Sequence, residues 1–187
     1  HQHDGARSFR GVKRDQWEGG HRTPLVVRWP AKVQARSTSD QLISLTDLFA
    51  TIAEIVAARL PNNAAEDSYS MLSVLRGEQG PQPVRPYLIQ QTMSGRHLSI
   101  RRGNWKYLDH RGSGGNDYTR AGQWGMKPYA LPEAEPDSPG QLYNLSQDPG
   151  ERTNVYSRHP AIVEELKAIL AKSKSSGRSA PMRRGLK

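Results

Sequence analysis

Apolar residues fall in short groups along this chain, and each group has its own period. Leu45, Leu48, Phe49, Ile52, Ile55 and Val56 recur every three or four positions, which puts them on one face of a helix. Ser44 stands where an N-cap belongs, Asp47 follows where the helix dipole favours a negative charge, and Pro61 ends the run. A second stripe, Ile162, Val163, Leu166, Ile169 and Leu170, predicts a helix over 160–174. Pro160 suits its first turn, Glu164 and Glu165 lie early, and Lys172 and Lys174 lie late. Between the two helices the period shortens. Leu98, Ile100, Trp105 and Tyr107 flank Gly103-Asn104 in a hairpin pattern. In that register Ile100 faces Tyr107, Arg102 faces Trp105, and the four apolar side chains share the buried face. Tyr87–Thr92 and Gln141–Leu145 read as further strands, and Asp148-Pro149-Gly150 as a turn. Leu25, Val26 and Val27, bounded by Pro24 and Pro30, read as a short buried strand.

A strand, a connection and a one-sided helix form the pattern of a layered α/β sheet. Several antiparallel strands closed by one amphipathic helix form a small α+β unit. The expected division is an α/β part over 1–80, an α+β unit over 85–175 and an unstructured basic tail over 176–187. Residues 111–140, rich in Gly, Pro and polar side chains, form a long loop of the kind that carries function.

Composition narrows the chemistry. The chain contains no cysteine, so disulfides, thiolate metal sites and cysteine nucleophiles are excluded within it. No apolar run is long enough to span a bilayer, so no membrane partner is expected. The net charge is +9. Basic residues gather near the start (Arg7, Arg10, Lys13, Arg14, Arg22, Arg28) and in the tail (Lys172, Lys174, Arg178, Arg183, Arg184, Lys187). This balance points to an anionic partner: a sulfated sugar, nucleic acid or an acidic surface. Nucleic acid is disfavoured, because no aromatic interleaving and no module signature accompany the basic tail.

Four segments then carry a resemblance. Trp17-Glu18-Gly19-Gly20-His21-Arg22-Thr23-Pro24 with Lys13 upstream, Ser44-Leu45-Thr46-Asp47-Leu48, Ile100-Arg101-Arg102-Gly103-Asn104-Trp105-Lys106-Tyr107, and Leu142–Asn154 resemble successive segments of the arylsulfatase family. They occur in the family's order and span nearly the whole chain. The resemblance implies the C-terminal part of an alkaline-phosphatase-like sulfatase fold with a small antiparallel C-terminal subdomain. It implies a sulfuric ester hydrolase acting on a sulfated sugar or aryl compound, and a periplasmic or secreted location. In that family a formylglycine hydrate, made from Cys or Ser in a Cys/Ser-x-Pro-x-Arg motif, attacks the sulfate sulfur. Calcium and basic side chains stabilise the sulfuryl oxygens. No Asp-Asn-Gly metal motif occurs here, so the resemblance assigns the calcium ligands and the formylglycine to a missing N-terminal sulfatase segment, and none to these 187 residues.

Lys13 is the catalytic residue the resemblance carries over, a compact cation for a sulfate or leaving-group oxygen. His1 and His3 are candidate substrate contacts, because the equivalent loop of relatives lies near the active site. Gln90 and Gln91 stand where relatives often have His, which puts substrate and activity in question. Glu18 and Arg22 form a prospective charge pair, and Gly19 and Gly20 are expected to supply unusual backbone angles. Ser179-Ala180-Pro181-Met182-Arg183 spells the nucleophile motif but is set aside, since it lies in the basic tail with no helix after it. The alternative functional reading is a non-catalytic remnant that binds sulfated glycans.

Overall fold

The computed structural model describes residues 8–118 and 135–183. They divide into two compact units, one joining residues 8–24 to 89–170 and the other joining 25–88 to 171–183.

The first unit is built on a four-stranded sheet in the order β1 (Leu88–Gln91), β2 (Leu98–Arg102), β3 (Trp105–Leu108), β4 (Gln141–Asn144). β2, β3 and β4 pair antiparallel, with Ile100 opposite Tyr107 and Arg102 opposite Trp105, as the hairpin pattern predicts. Ile100, Tyr107 and Leu142 are buried on one face, as are Val163 and Leu166 of helix α4 (Pro160–Ser176). Arg102 pairs with Glu165 of α4, and the Tyr107 and Tyr156 rings lie 6.3 Å apart.

The other face departs from the sequence pattern. Ser99, Lys106, Leu108 and Tyr143 are all buried there, although Ser99 and Lys106 occupy the positions that alternation assigns to solvent. The cover comes from residues 8–24. Trp17 packs with Leu108, Tyr143 and Leu145, and its indole nitrogen donates to Gln141 Oε1 at 2.9 Å. The Arg10 guanidinium lies 3.7 Å from the centre of the Trp17 ring and donates to Tyr143 Oη and Glu151 O. These residues therefore pack with the late strands, where Glu18 pairs with Lys106 and donates its backbone N–H to Glu151.

Helix α1 (Glu18–His21) turns within this cover. Its glycines have no left-handed angles; the need is for space. A Cβ on Gly19 would lie 2.3 Å from Gly11 O, and one on Gly20 2.1 Å from Asp15 O.

The second unit carries helices α2 (Asp47–Ile55) and α3 (Leu72–Arg76). The Asp47 carboxylate accepts from Ser44 N at 2.7 Å, Tyr69 N at 2.9 Å and Arg85 Nη2 at 2.9 Å, all in the interior. Helix α2 is turned opposite to its apolar stripe. Asp47, Ala50, Thr51 and Ala53 are buried, while Phe49 and Ile52 are 57% and 56% exposed and Leu45, Leu48, Ile55 and Val56 are exposed with them. Residues 24–29 form no strand, and Val26 is 88% exposed. The physical reason is the same for both: a buried strand needs a neighbouring strand and an apolar stripe needs an apolar face, and the described residues of this unit supply neither.

Residues 178–183 lie against the 61–67 loop, and residues 184–187 of the expected tail lie outside the described residues. Arg183 donates to the carbonyls of Pro61 and Ala64, and Arg178 to those of Asn62 and Ala180. Backbone carbonyls thus occupy two of the tail's guanidinium groups. Ser179 donates its N–H to Asp67 Oδ1 and opens no helix among the described residues.

Candidate functional site

Lys13 occupies the tip of a tight turn. Asp15 N donates to Val12 O at 3.0 Å, which places Lys13 and Arg14 at the two central positions. Both side chains are exposed, and neither has a hydrogen-bond or ion-pair partner among the described residues. The backbone beneath them is fixed. Asp15 is buried, with Oδ2 accepting from Val12 N at 2.8 Å and from the Tyr118 hydroxyl. Its Oδ1 accepts from both the backbone N–H and the side-chain amide of Asn116, and that amide also donates to Lys13 O at 2.9 Å. Residues 113–116 wrap the turn so closely that a Cβ on Gly115 would lie 2.1 Å from Arg14 O. The buried carboxylate is spent on the scaffold, and two cations project from it.

Behind the turn lies a buried ion network. The Lys106 ammonium sits 3.0 Å from Glu18 Oε1 and 3.0 Å from Glu151 Oε1, and all three side chains are buried. Glu18 Oε2 also pairs with Arg101 at 3.1 Å and with Arg22 at 3.5 Å, the charge pair anticipated for positions 18 and 22. Glu151 Oε2 accepts the N–H of Glu18 at 2.6 Å. Burial alone would raise the Glu18 carboxyl, but the charges of Lys106 and Arg101 hold it below its ordinary value. Burial wins at Glu151, which is raised despite Lys106. His21 Nε2 is 2.9 Å from Gln16 O and 3.1 Å from the Lys106 ammonium. Burial and that ammonium lower the imidazole to about 4, so it is neutral at pH 7.

A second group flanks the turn on its other side. His110 Nε2 is 2.8 Å from Gln16 Oε1, and its ring lies 4.9 Å from that of the half-exposed His97, which faces Asp109 at 3.6 Å. Burial lowers the His110 pKa. A Cβ on Gly114 would lie 2.7 Å from His110, so residues 114–115 run directly between that ring and Arg14. Periodicity gave no cue to His97 or His110, because both lie beyond strand ends and meet only in space.

Lys13 is thus placed on an accessible apex. His1 and His3 lie outside the described residues. Gln90 takes the Gln16 amide on its backbone oxygen at 3.1 Å, and Gln91 is exposed and bonds Gly95 O. Among the described residues no group of three or more His, Asp or Glu is arranged to hold a metal ion. The described residues thus do not fit the calcium of the resemblance.

The family profile described as N-sulphoglucosamine sulphohydrolase, C-terminal, matches residues 11–112, the span that holds the Lys13 turn, Glu18 and Lys106. An N-acetylgalactosamine-6-O-sulfatase of Bacteroides thetaiotaomicron is 35% identical over 167 residues, covering 89% of this chain and 30% of that protein. An arylsulfatase of Hemicentrotus pulcherrimus is 29% identical over 186 residues, covering 89% of this chain and 33% of its own length. A solved structure from work on metabolism of multiple glycosaminoglycans by Bacteroides thetaiotaomicron superposes with a TM-score of 0.72 at 36% identity, covering 90% of this chain and 32% of the other. The chain thus spans about a third of the length of the relatives it matches. It belongs to the sulfatase family and corresponds to the C-terminal portion of that family's alkaline-phosphatase-like fold.

Proposed function

We propose that these residues form the C-terminal part of a hydrolase that cleaves a sulfate ester of a sulfated sugar, and that Lys13 is their contact with the sulfate. The observation that carries this reading is the Lys13 ammonium, held without a partner among the described residues at the apex of a turn fixed from below by Asp15 and Asn116. A point charge on a fixed support stabilises negative charge as it builds on sulfuryl or leaving-group oxygens, with little reorganisation during reaction. His1 and His3 are proposed to reach the same substrate. The nucleophile and calcium ligands are proposed to come from a segment outside these 187 residues, which contain no cysteine. The exposed face of α2 is the proposed seat of that segment, since large apolar side chains outward and small ones inward suit a helix awaiting a sheet. The 35% identical relative, named for N-acetylgalactosamine-6-O-sulfate, makes a 6-sulfated amino sugar the first substrate to try.

The test has two steps. Intact mass from the native source shows whether the protein exceeds 20.9 kDa. In the full protein, Lys13→Ala is expected to lower kcat/KM toward N-acetylgalactosamine 6-sulfate about a hundredfold or more. Unchanged turnover would remove Lys13 from the site. A second reading, glycan binding without turnover, uses the same turn and predicts affinity for the sulfated sugar with no sulfate release.

A further inference from the structure

Arg14 stands in a conformation that arginine avoids. It is the second central residue of the Val12–Asp15 turn with φ of +90°, the place where a type II turn takes glycine. The other non-glycine residues with positive φ lie between 51° and 63°, inside the left-handed helical well, and Arg14 alone among the described non-glycine residues lies beyond it. Strain of this kind persists only where the surroundings enforce it and clusters at ligand clamps. Here the enforcement is visible: Gly115 backs onto the Arg14 carbonyl, Asn116 holds the Lys13 carbonyl, and Asp15 anchors both ends of the turn. The result is two neighbouring cations on one rigid apex, both exposed. Neither is neutralised by a carboxylate among the described residues, because Asp15 is turned inward.

We infer that Arg14 is a specificity residue that binds a second anionic group on the glycan whose sulfate ester Lys13 contacts. This rests on the sulfatase reading above. A point-charge lysine and a planar guanidinium side by side favour a ligand with two acidic groups, the arginine taking a carboxylate or sulfate through paired N–H donors. A mono-anionic sugar would use only Lys13. The second group is either a hexuronate carboxylate on the adjoining sugar or a second sulfate on the same one.

The experiment measures Kd by calorimetry for the full protein and its Arg14→Gln variant with three probes. The first is N-acetylgalactosamine 6-sulfate, with one anionic group. The second is a disaccharide of a hexuronate and 6-sulfated N-acetylgalactosamine. The third is N-acetylgalactosamine 4,6-disulfate. Arg14→Gln is expected to weaken the second or the third probe about tenfold and to leave the first within about twofold. Which di-anionic probe suffers identifies the carboxylate or the sulfate as the second group. Arg14→Gly is expected to show the same binding loss with Tm raised about 2 °C, since glycine relieves the strained φ. Equal affinities of wild type and Arg14→Gln for all three probes, or an equal loss on all three, would overturn the assignment while leaving the sulfatase reading in place. A Tm lowered by Arg14→Gly would also overturn it. A wild-type protein that binds none of the probes would remove the sulfatase reading itself, and this inference with it.

Discussion

The Lys106 ammonium and the Glu18 carboxylate lie 3.0 Å apart in the interior, joining strand β3 to the segment that carries Lys13. A buried ion pair is weak evidence for net stability, but removing one partner leaves an uncompensated charge. Lys106→Met would leave Glu18 and Glu151 facing each other without their shared cation. The expected loss is about 3–5 kcal/mol in urea denaturation. Adding Glu151→Gln to that variant should restore part of the loss, because one of the two stranded charges is then gone. A Lys106→Met protein with unchanged midpoint would show the network to be incidental.

Stability should depend on pH through His21. Its folded value of about 4 lies below the ordinary 6.5, so between these values the unfolded chain binds more protons than the folded one. Stability therefore falls as pH drops from about 6.5 to about 4. His21→Gln should flatten the curve in that window, read as urea midpoints across the pH range. Glu18 adds a loss of the same sign at lower pH, since its depressed carboxyl contributes stability only while ionised. Glu151 acts oppositely, as a raised carboxyl favours the folded state when protonated.

Gly115→Ala probes the turn from outside it. The added methyl would meet Arg14 O at 2.1 Å, so the turn must shift. Circular dichroism should change little, because Gly115 is exposed and outside the sheet. Sulfate-ester kcat/KM of the full protein should fall at least about tenfold, as a displacement near 1 Å suffices to misplace a catalytic charge. Full activity in Gly115→Ala would mean that the position of Lys13 is not set by this packing.

Phe49→Ser with Ile52→Asn tests the outward face of α2. In the 187-residue chain the pair should reduce self-association in sedimentation velocity with little change in folding, since both side chains are more than half exposed. In the full protein the same pair should lower stability, because the face is then expected to be covered. Equal behaviour in both settings would leave the face without an occupant.

Much of the sheet was legible because hairpin chemistry is local. Gly103-Asn104 and the alternation around it specify a register that strands β2 and β3 adopt residue for residue. The helix expected over 160–174 from its stripe forms as Pro160–Ser176. What periodicity misassigned was burial. Lys106 and Ser99 look solvent-facing within their own strands, and only a segment some ninety residues earlier makes them interior. The α2 stripe correctly names one helical face, but the partner for that face is not among the described residues of its unit. Lys13 was carried over from the family resemblance around Glu18-Gly19-Gly20. Arg14 was not, because a strained φ leaves no trace in residue type: arginine is common in turns, and only the backbone shows that glycine's place is taken.

The Glu18–Glu151 hydrogen bond spans 133 residues of chain. During synthesis residues 8–24 are made well before Glu151, which receives the Glu18 N–H. At ordinary elongation rates the Lys13 segment waits on the order of ten seconds before its cover over the sheet can close. For that interval Trp17 is an open apolar surface, and the acidic and basic members of the network are solvated and separate. The Lys13 turn is thus made well before the partners that give it its shape.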